Sequence, residues 1–378
     1  MADTYDFIVI GAGIAGASVA AELSAQARVL LLERESQPGY HTTGRSAAMY
    51  APGYGPQPIR ALTRASAGFY NAPPTGFTEA QLLSPRDVIM IAREDQLHEV
   101  DAMIDDLSGD AEVSRVDADA ITASHPLLRP GYAVAGVLDQ TGSDIDVHAL
   151  HQGYLRAFRA QSGVLQTSAE VLGLSWDAGI WTVQTSAGAF QGKAIINASG
   201  AWADQIGQMA GAERIGLVPK RRTALIVDAP DGTDVGGLPL VVDIAEDFYM
   251  KPDAGRLLIS PANEDPMEPC DAQPEEFDIA YCIDRIQTAF DLDITRIANK
   301  WAGLRSFVAD KAPVVGYSER AEGFFWLAGQ GGYGIQSAPA LSRYAAALAL
   351  GQPAPADILA EGLEPDSLSP ARTTLNTE

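Results

Sequence analysis

The first residues of the chain run strand, glycine turn, helix, strand, and few folds begin that way. Tyr5-Asp6-Phe7-Ile8-Val9-Ile10 is an apolar run with several β-branched residues, and it leads into Gly11-Ala12-Gly13-Ile14-Ala15-Gly16. A helical stretch from Ala17 to Gln26 follows, and then Arg28-Val29-Leu30-Leu31-Leu32-Glu33. Glycine accounts for 36 of 378 residues, so the G-x-G-x-x-G spacing alone would say little. The context decides: a strand before, a helix after and an acid about 20 residues on mark a dinucleotide-binding βαβ unit. Gly11 permits the tight turn, Gly13 lets a pyrophosphate reach the backbone, and Gly16 lets helix and strand pack closely. The helix start offers unpaired N–H groups and roughly +0.5 of a charge to phosphate. Glu33 suits a ribose 2′-hydroxyl, which favours an unphosphorylated adenosine ribose. The plainer alternative is a βαβ unit with no ligand; the complete signature favours a bound dinucleotide.

Size allows more than this unit. A chain of 378 residues suits two domains, each with its own core. The formal net charge of −23 repels phosphates, which disfavours nucleic acid and anionic membrane surfaces as partners. Cys270 and Cys282 lie twelve apart with no CxxC and no histidine nearby, so neither a metal site nor a disulfide framework is expected. Two uncharged runs resemble membrane segments. Phe7 to Ala21 is too short to span and follows acids, Asp3 and Asp6, where a signal peptide needs basic residues. Gly323 to Ser342 is long enough but too polar and glycine-rich at its centre. The expectation is a chain with no transmembrane segment, located in the cytoplasm, with peripheral contact at the inner membrane face left open.

The element pattern suggests interleaved domains. A loop follows Glu33, and the stretch from Gly53 to Ala133 is rich in Pro and Gly and reads as an excursion. A capped helix begins near Asp146, short strands follow, and Lys193-Ala194-Ile195-Ile196-Asn197 enters a turn. From Leu217 to Ser306 the pattern returns to strands, broken by one helix near Phe277 to Ala289. The expected fold class is α/β: a Rossmann-like nucleotide-binding domain from residues 1–52, 145–216 and 309–378, with a mixed-sheet substrate domain from 53–144 and 217–308.

The end of the chain repeats the strand–glycine–helix theme. Phe324-Phe325-Trp326-Leu327-Ala328 runs into Gly329-Gln330-Gly331-Gly332-Tyr333-Gly334 and then a helix to about Leu350. No further acid-bearing strand follows, so this is not a second complete dinucleotide unit, which argues against an NAD(P)H site. Its helix N-terminus could instead face the far end of the first cofactor and stabilise negative charge on a reduced flavin. A glycine cluster that serves packing alone is the simpler alternative.

These features together resemble a known family. The Gly11/Gly13/Gly16 fingerprint with Glu33, the segment Asn197-Ala198-Ser199-Gly200-Ala201-Trp202 and the Gly329 to Gly334 cluster are similar to the D-amino-acid oxidase/glycine oxidase superfamily of FAD enzymes. Thr43-Gly44-Arg45-Ser46-Ala47-Ala48, Leu150-His151-Gln152-Gly153-Tyr154-Leu155-Arg156 and Phe248-Tyr249-Met250-Lys251-Pro252-Asp253-Ala254-Gly255 look like the bacterial D-arginine dehydrogenases within it. So do Trp301 to Asp310 and Gln330 to Gln336. The resemblance implies a noncovalent FAD, oxidation of an amino acid to an imino acid by hydride transfer to flavin N5, and hydrolysis to a 2-oxo acid and ammonia. It implies an electron acceptor as well, either a quinone or oxygen. Arg222 and Arg305 would hold the substrate carboxylate, Tyr54 and Tyr249 would close over the substrate, and the Gly332 carbonyl would accept from its amine. The cofactor would lie against Gly11, Gly13, Ile14, Ala15, Gly16, Glu33, Arg34, Thr43, Gly44, Arg45, Ser46, Ala47, Val171, Ser199, Gly200 and Trp202. At its far end it would meet Gly331, Gly332, Tyr333, Gly334, Ile335 and Gln336.

Residue chemistry supports parts of this independently. Arginine makes a two-point pair with a carboxylate that lysine cannot reproduce. Arg305 sits in an otherwise uncharged, strand-like stretch, so it needs a partner, either a substrate or a structural acid. Lys220-Arg221-Arg222 would ordinarily be a solvated charge run, and single tyrosines ordinarily pack. His148 and His151 read as helix residues, because no third metal-ligand motif accompanies them. One departure from the arginine-preferring relatives bears on specificity. Where they carry an acid two residues after a Ser-Pro-Arg turn, this chain has Val88, and where they carry a histidine it has Met49. Strand alternation points neighbouring Asp87 to the other face. The substrate pocket is therefore expected to favour neutral or apolar side chains. Oxidation of a 2-hydroxy acid or an N-methyl amino acid is an alternative on the same fold, and so is a non-enzymatic nucleotide-binding regulator.

Overall fold

The computed structural model describes residues 4–109 and 111–376; Asp3 lies outside them. Its first sheet has eight strands. Thr4–Ile10 lies between Val29–Leu32 and Gly188–Asn197, parallel to both, with Phe7 opposite Val29 and Ile10 opposite Asn197. Val164–Gln166 extends the sheet beyond Val29–Leu32. On the other side Gly188–Asn197 pairs antiparallel with Ile180–Thr185 and, at its end, parallel with Phe324–Ala328. A parallel sheet covered on both faces needs apolar residues throughout, and all four residues of Val29–Leu32 are buried. Alternate residues feed different cores. Phe7, Val9 and Leu31 pack under the helices Ile14–Ser24, Val147–Ala160 and Gly334–Ala349, whereas Ile8, Ile10, Leu30 and Trp326 form the opposite core.

The second sheet has nine strands, all between residues 88 and 307. It is antiparallel except where Val88–Ala92 runs parallel to Leu240–Asp243. Its long centre is the pairing of Val218–Val227 with Ile297–Phe307, in which Lys220 lies opposite Arg305 and Arg222 opposite Gly303. Period-two alternation again separates two faces. Ile89, Leu225, Val241 and Met250 pack with Cys282 and Ile286 of the helix Glu276–Ala289. Val88, Ala224, Leu240 and Tyr249 lie on the other face, which turns toward the first sheet's glycine loops and carries the site residues. A three-stranded sheet of Met49–Tyr50, Leu83–Pro85 and Ser143–Ile145 joins the segments beside it. The mixed α/β class expected from the sequence is the class observed. The Gly53 to Ala133 excursion is more regular than its composition suggests, because it holds the helices Gln57–Asn71 and Leu97–Leu107.

Candidate active site

The first glycine loop forms a backbone cradle. Gly11 has φ +98°, and a Cβ there would lie 2.5 Å from the Ala198 carbonyl oxygen, so the turn admits only glycine. A Cβ on Gly13 would come within 3.1 Å of Thr43 Oγ1, the atom that accepts from the Ile14 N–H at 2.9 Å. Gly16 packs still closer, since its Cβ would lie 1.8 Å from the Gly11 oxygen. Glu33 is buried at the end of the second strand, and its two oxygens accept from the backbone N–H groups of Ala12 and Glu35, each at 2.9 Å. Burial pushes the Glu33 carboxyl up and those two donors pull against it. Each oxygen keeps a further lone pair, so a ribose hydroxyl can still donate to it. A dinucleotide fits this cradle: small backbone at the turn, donors at a helix start and a carboxylate at the next strand.

From the cradle a cavity of about 260 Å³ runs along Thr43, Arg45, Ser46 and Ala47 to Gly331, Gly332, Gly334 and Ile335. Ile14, Ala15, Arg34, Val171, Ser199, Gly200 and Trp202 also line it. A second cavity of about 410 Å³ adjoins it and shares Ser46, Ala47, Arg222, Tyr249, Arg305, Gly332 and Ile335. The expected carboxylate-binding and catalytic residues thus stand at the junction, with Tyr54, Met49 and Val88 on the second cavity alone.

Two guanidinium groups face that junction. Arg222 is buried, and its Nε donates to the Asn263 carbonyl at 2.9 Å while one terminal nitrogen donates to Glu264 at 3.2 Å. Burial and the nearby Arg305 lower its pKa. Arg305 has no carboxylate within salt-bridge distance among the described residues; Tyr54 and Tyr249 lie close enough to favour its charge. Burial works against its charge, yet Tyr54, Tyr249 and Glu246 outweigh that and hold its pKa above the ordinary arginine value. Its guanidinium lies flush on the backbone, because a Cβ at Gly332 would be 2.9 Å from Arg305 Cζ. Burial raises the phenol pKa of both Tyr54 and Tyr333, whose rings meet edge to face at 5.2 Å. The junction sets the buried Arg222 and the half-buried Arg305 beside Tyr54 and Tyr249.

The far wall of the second cavity is apolar: Val88, Met90, Leu240 and Val242 stand side by side on one sheet face. It is not free of charge. Asp139 lies opposite Val88 in the adjacent antiparallel strand, is buried, and has one oxygen occupied by the Thr141 N–H and hydroxyl. Lys251 donates to Asp144 at 2.5 Å, and Arg86 holds the other Asp144 oxygen. Asp87 is exposed and does not line the cavity.

Several residues do something other than expected. Tyr333 and Gln336 line the second cavity rather than the first, and Gln336 accepts from the Ala51 N–H and donates to the Tyr54 carbonyl, each at 3.2 Å. Gly44 packs against the Gly39 carbonyl outside both cavities. The Arg45 guanidinium turns away to Asp271 and to the Ala272 and Ala302 carbonyls, so it ties the loop to the second sheet. Lys220-Arg221-Arg222 is not a solvated run: on one strand Arg221 is buried against Asp278 and Glu275, while Arg222 faces the cavity. His151 is more than a helix residue, because its buried Nε2 donates to the Ala12 carbonyl at 2.9 Å and braces the glycine loop. Glu246 was not foreseen. It sits in a bend at φ +58°, lines the second cavity, and its charge reaches Tyr54, Tyr333, Arg222 and Arg305. A non-glycine residue in that backbone region was its only prior signal, and sequence does not display it.

Comparison with known proteins agrees with this geometry. A family model described as FAD dependent oxidoreductase (DAO) matches residues 6–348. Human mitochondrial dimethylglycine dehydrogenase is 24% identical over 286 residues, which cover 70% of this chain and 32% of the relative. An L-2-hydroxyglutarate dehydrogenase of Escherichia coli is 26% identical over 221 residues, covering 55% of this chain and 50% of the relative. The chain therefore spans about a third to a half of these curated relatives. Glycine oxidase from Geobacillus kaustophilus superposes with a TM-score of 0.82 at 21% identity, covering 96% of this chain and 99% of that one.

Proposed function

The chain belongs to the DAO family of FAD-dependent oxidoreductases, and from that premise we propose that it oxidises D-amino acids to 2-oxo acids and ammonia. The observation that carries this is Arg305: a cation at the junction of the two cavities, flanked by Tyr54, Tyr249 and Arg222, with no carboxylate in salt-bridge distance among the described residues. The first cavity, between the Gly11 to Gly13 turn with Glu33 and the Gly331 to Gly334 loop, would hold FAD, which would supply the acceptor for the hydride from the substrate Cα. Arg305 supplies two parallel donors to the substrate carboxylate, and the free side of Arg222 supplies a third. The Gly332 carbonyl accepts from the substrate amine, and Glu246 attracts the ammonium form, which gives up a proton to solvent so that the neutral amine's lone pair can form the C=N bond as the hydride leaves. Tyr54 and Tyr249 cover the substrate and exclude water, which strengthens each of these contacts. The imino acid leaves for hydrolysis, and the electrons pass to a quinone or to oxygen.

The residue pattern that links the chain to the D-arginine dehydrogenases does not extend to an arginine preference. At the side-chain end Arg86 and Lys251 both pair with Asp144, so the carboxylate beside Val88 is Asp139, held by Thr141 alone among the described residues, and the wall around it is apolar. Neutral or apolar side chains suit that wall, and burying one yields about 1.5–3 kcal/mol. The expected division is an FAD-binding domain from residues 1–52, 145–216 and 309–378 around the first sheet and a substrate-binding domain from 53–144 and 217–308 around the second. Noncovalent FAD is supported by the cysteines, since neither lines either cavity. No helix among the described residues is long and apolar enough to cross a membrane, and a cytoplasmic location is part of this proposal.

Relatives acting on an N-methyl amino acid and on a 2-hydroxy acid keep those substrates in view. Glu246 favours an ammonium group over a neutral hydroxyl. The test is a steady-state assay with a dye acceptor over D- and L-amino acids, their 2-hydroxy analogues and their N-methyl derivatives. Turnover highest with D-leucine, D-methionine or D-phenylalanine supports the proposal. Turnover confined to hydroxy acids overturns it, and a colourless protein would favour the non-enzymatic regulator.

A further inference from the structure

Beside the first cavity two buried polar atoms have no hydrogen-bond partner among the described residues: the Ser306 hydroxyl and the Gln330 amide nitrogen. Native proteins rarely leave such groups unpaired, and each one calls for a partner such as a water, an ion or a bound group. Ser306 is only 7% exposed. The two belong to one rigid corner, since the Gly331 N–H donates to the Ser306 carbonyl at 2.9 Å. That corner cannot relax outward: Gly331 has φ +53°, and even a Cβ there would lie 2.1 Å from the Phe307 ring. His125 also has unpaired ring nitrogens, but it lines neither of the two cavities.

The two cavities separate cofactor from substrate. Ser306 and Gln330 line the first and not the second, whereas Arg305 and Gly332, their chain neighbours, line both. Alternation along Ile297–Phe307 accounts for this by turning Ser306 away from the side that Arg305 takes. A group that completes Ser306 and Gln330 therefore belongs to the cofactor space.

We infer that Ser306 and Gln330 are cofactor-contacting residues that pair with the polar edge of the flavin ring system, and that they raise its reduction potential. The inference rests on the FAD reading above. The ring gains electron density on reduction, so a hydrogen-bond donor at its edge favours the reduced form over the oxidised one.

The test uses the holoenzymes S306A and Q330L and reads flavin release, the visible spectrum and the two-electron midpoint potential, with circular dichroism as the control for folding. Each variant is expected to release FAD about two- to tenfold faster, the cost of one lost hydrogen bond. In the double variant the reduced form should lose about tenfold more affinity than the oxidised one, which converts to a midpoint about 30 mV lower. Should Q330L not fold, Q330E removes the donor while keeping the side chain's shape, and is expected to lower the potential further. Wild-type release, spectrum and potential in these variants would overturn the inference while leaving the FAD enzyme intact. Faster release with an unchanged spectrum and potential would overturn it too, by placing the contact on the cofactor's chain. A wild type without FAD would overturn both this inference and the proposed function.

Discussion

Replacing Arg305 by lysine keeps a cation at the junction of the cavities but removes the planar fork that a carboxylate pairs with at two points. The surroundings leave little room for compensation. The guanidinium is flush against the Gly332 backbone on one side with Tyr54 beside it, and no acid among the described residues lies within salt-bridge distance to redirect a lysine. A mispaired, desolvated carboxylate costs about 2–5 kcal/mol, or about 30-fold to several thousand-fold in kcat/KM. The assay is kcat/KM for D-leucine with a dye acceptor, alongside FAD content per chain. Activity should collapse while FAD content stays near that of the wild type. Arg305→Met adds a second reading: it removes the cation altogether, so turnover of carboxylate substrates is lost while FAD content stays near that of the wild type. Parallel loss of flavin and activity in both variants would refute the reasoning and make Arg305 a structural residue.

Arg222→Lys should cost less than Arg305→Lys, because part of the Arg222 fork already serves Asn263 and Glu264; comparing kcat/KM of the two variants checks the order. Val88→Glu should move preference toward D-arginine and D-lysine with FAD content unchanged, and Asp139→Asn should weaken whatever basic-substrate activity the wild type has; a wild type fastest with D-arginine would contradict the neutral wall. His125 is fully buried, and burial lowers its pKa from 6.5 to about 4. The unfolded chain therefore takes up a proton below about pH 6.5 that the fold refuses until about pH 4, so about 3 kcal/mol of stability is lost as pH falls through that window. His125→Leu should flatten that part of the stability–pH curve, as measured by urea unfolding; an unchanged slope would assign the acid lability elsewhere.

What could be read in advance depended on whether backbone or side-chain geometry was at stake. The first glycine turn was legible because φ +98° at Gly11 and the close approach at Gly16 exclude every other residue, so the requirement is written in the residue type. Arg305 was legible because a lone charge in an apolar strand needs a partner. Lys220-Arg221-Arg222 was not, since composition suggests solvent while strand alternation sends consecutive arginines to opposite, buried faces. Asp139 and Glu246 reach the second cavity from a neighbouring strand and from a bend, by pairings that no local pattern encodes. Gln336 carries the right chemistry for a cofactor contact, but tertiary packing gives its amide to the Ala51–Tyr54 loop instead.

In the proposed function an amino acid, anchored by its carboxylate on Arg305 and Arg222, reduces a flavin held in the adjoining cavity. The most direct measurement mixes the purified holoenzyme anaerobically with one D-amino acid, its L-enantiomer and its 2-hydroxy analogue in turn, and follows the yellow absorbance. Rapid bleaching is expected with D-leucine, none with its L-enantiomer or its 2-hydroxy analogue, and loss of that bleaching in Arg305→Lys. Bleaching by the 2-hydroxy acid alone, or undiminished bleaching in Arg305→Lys, would contradict it.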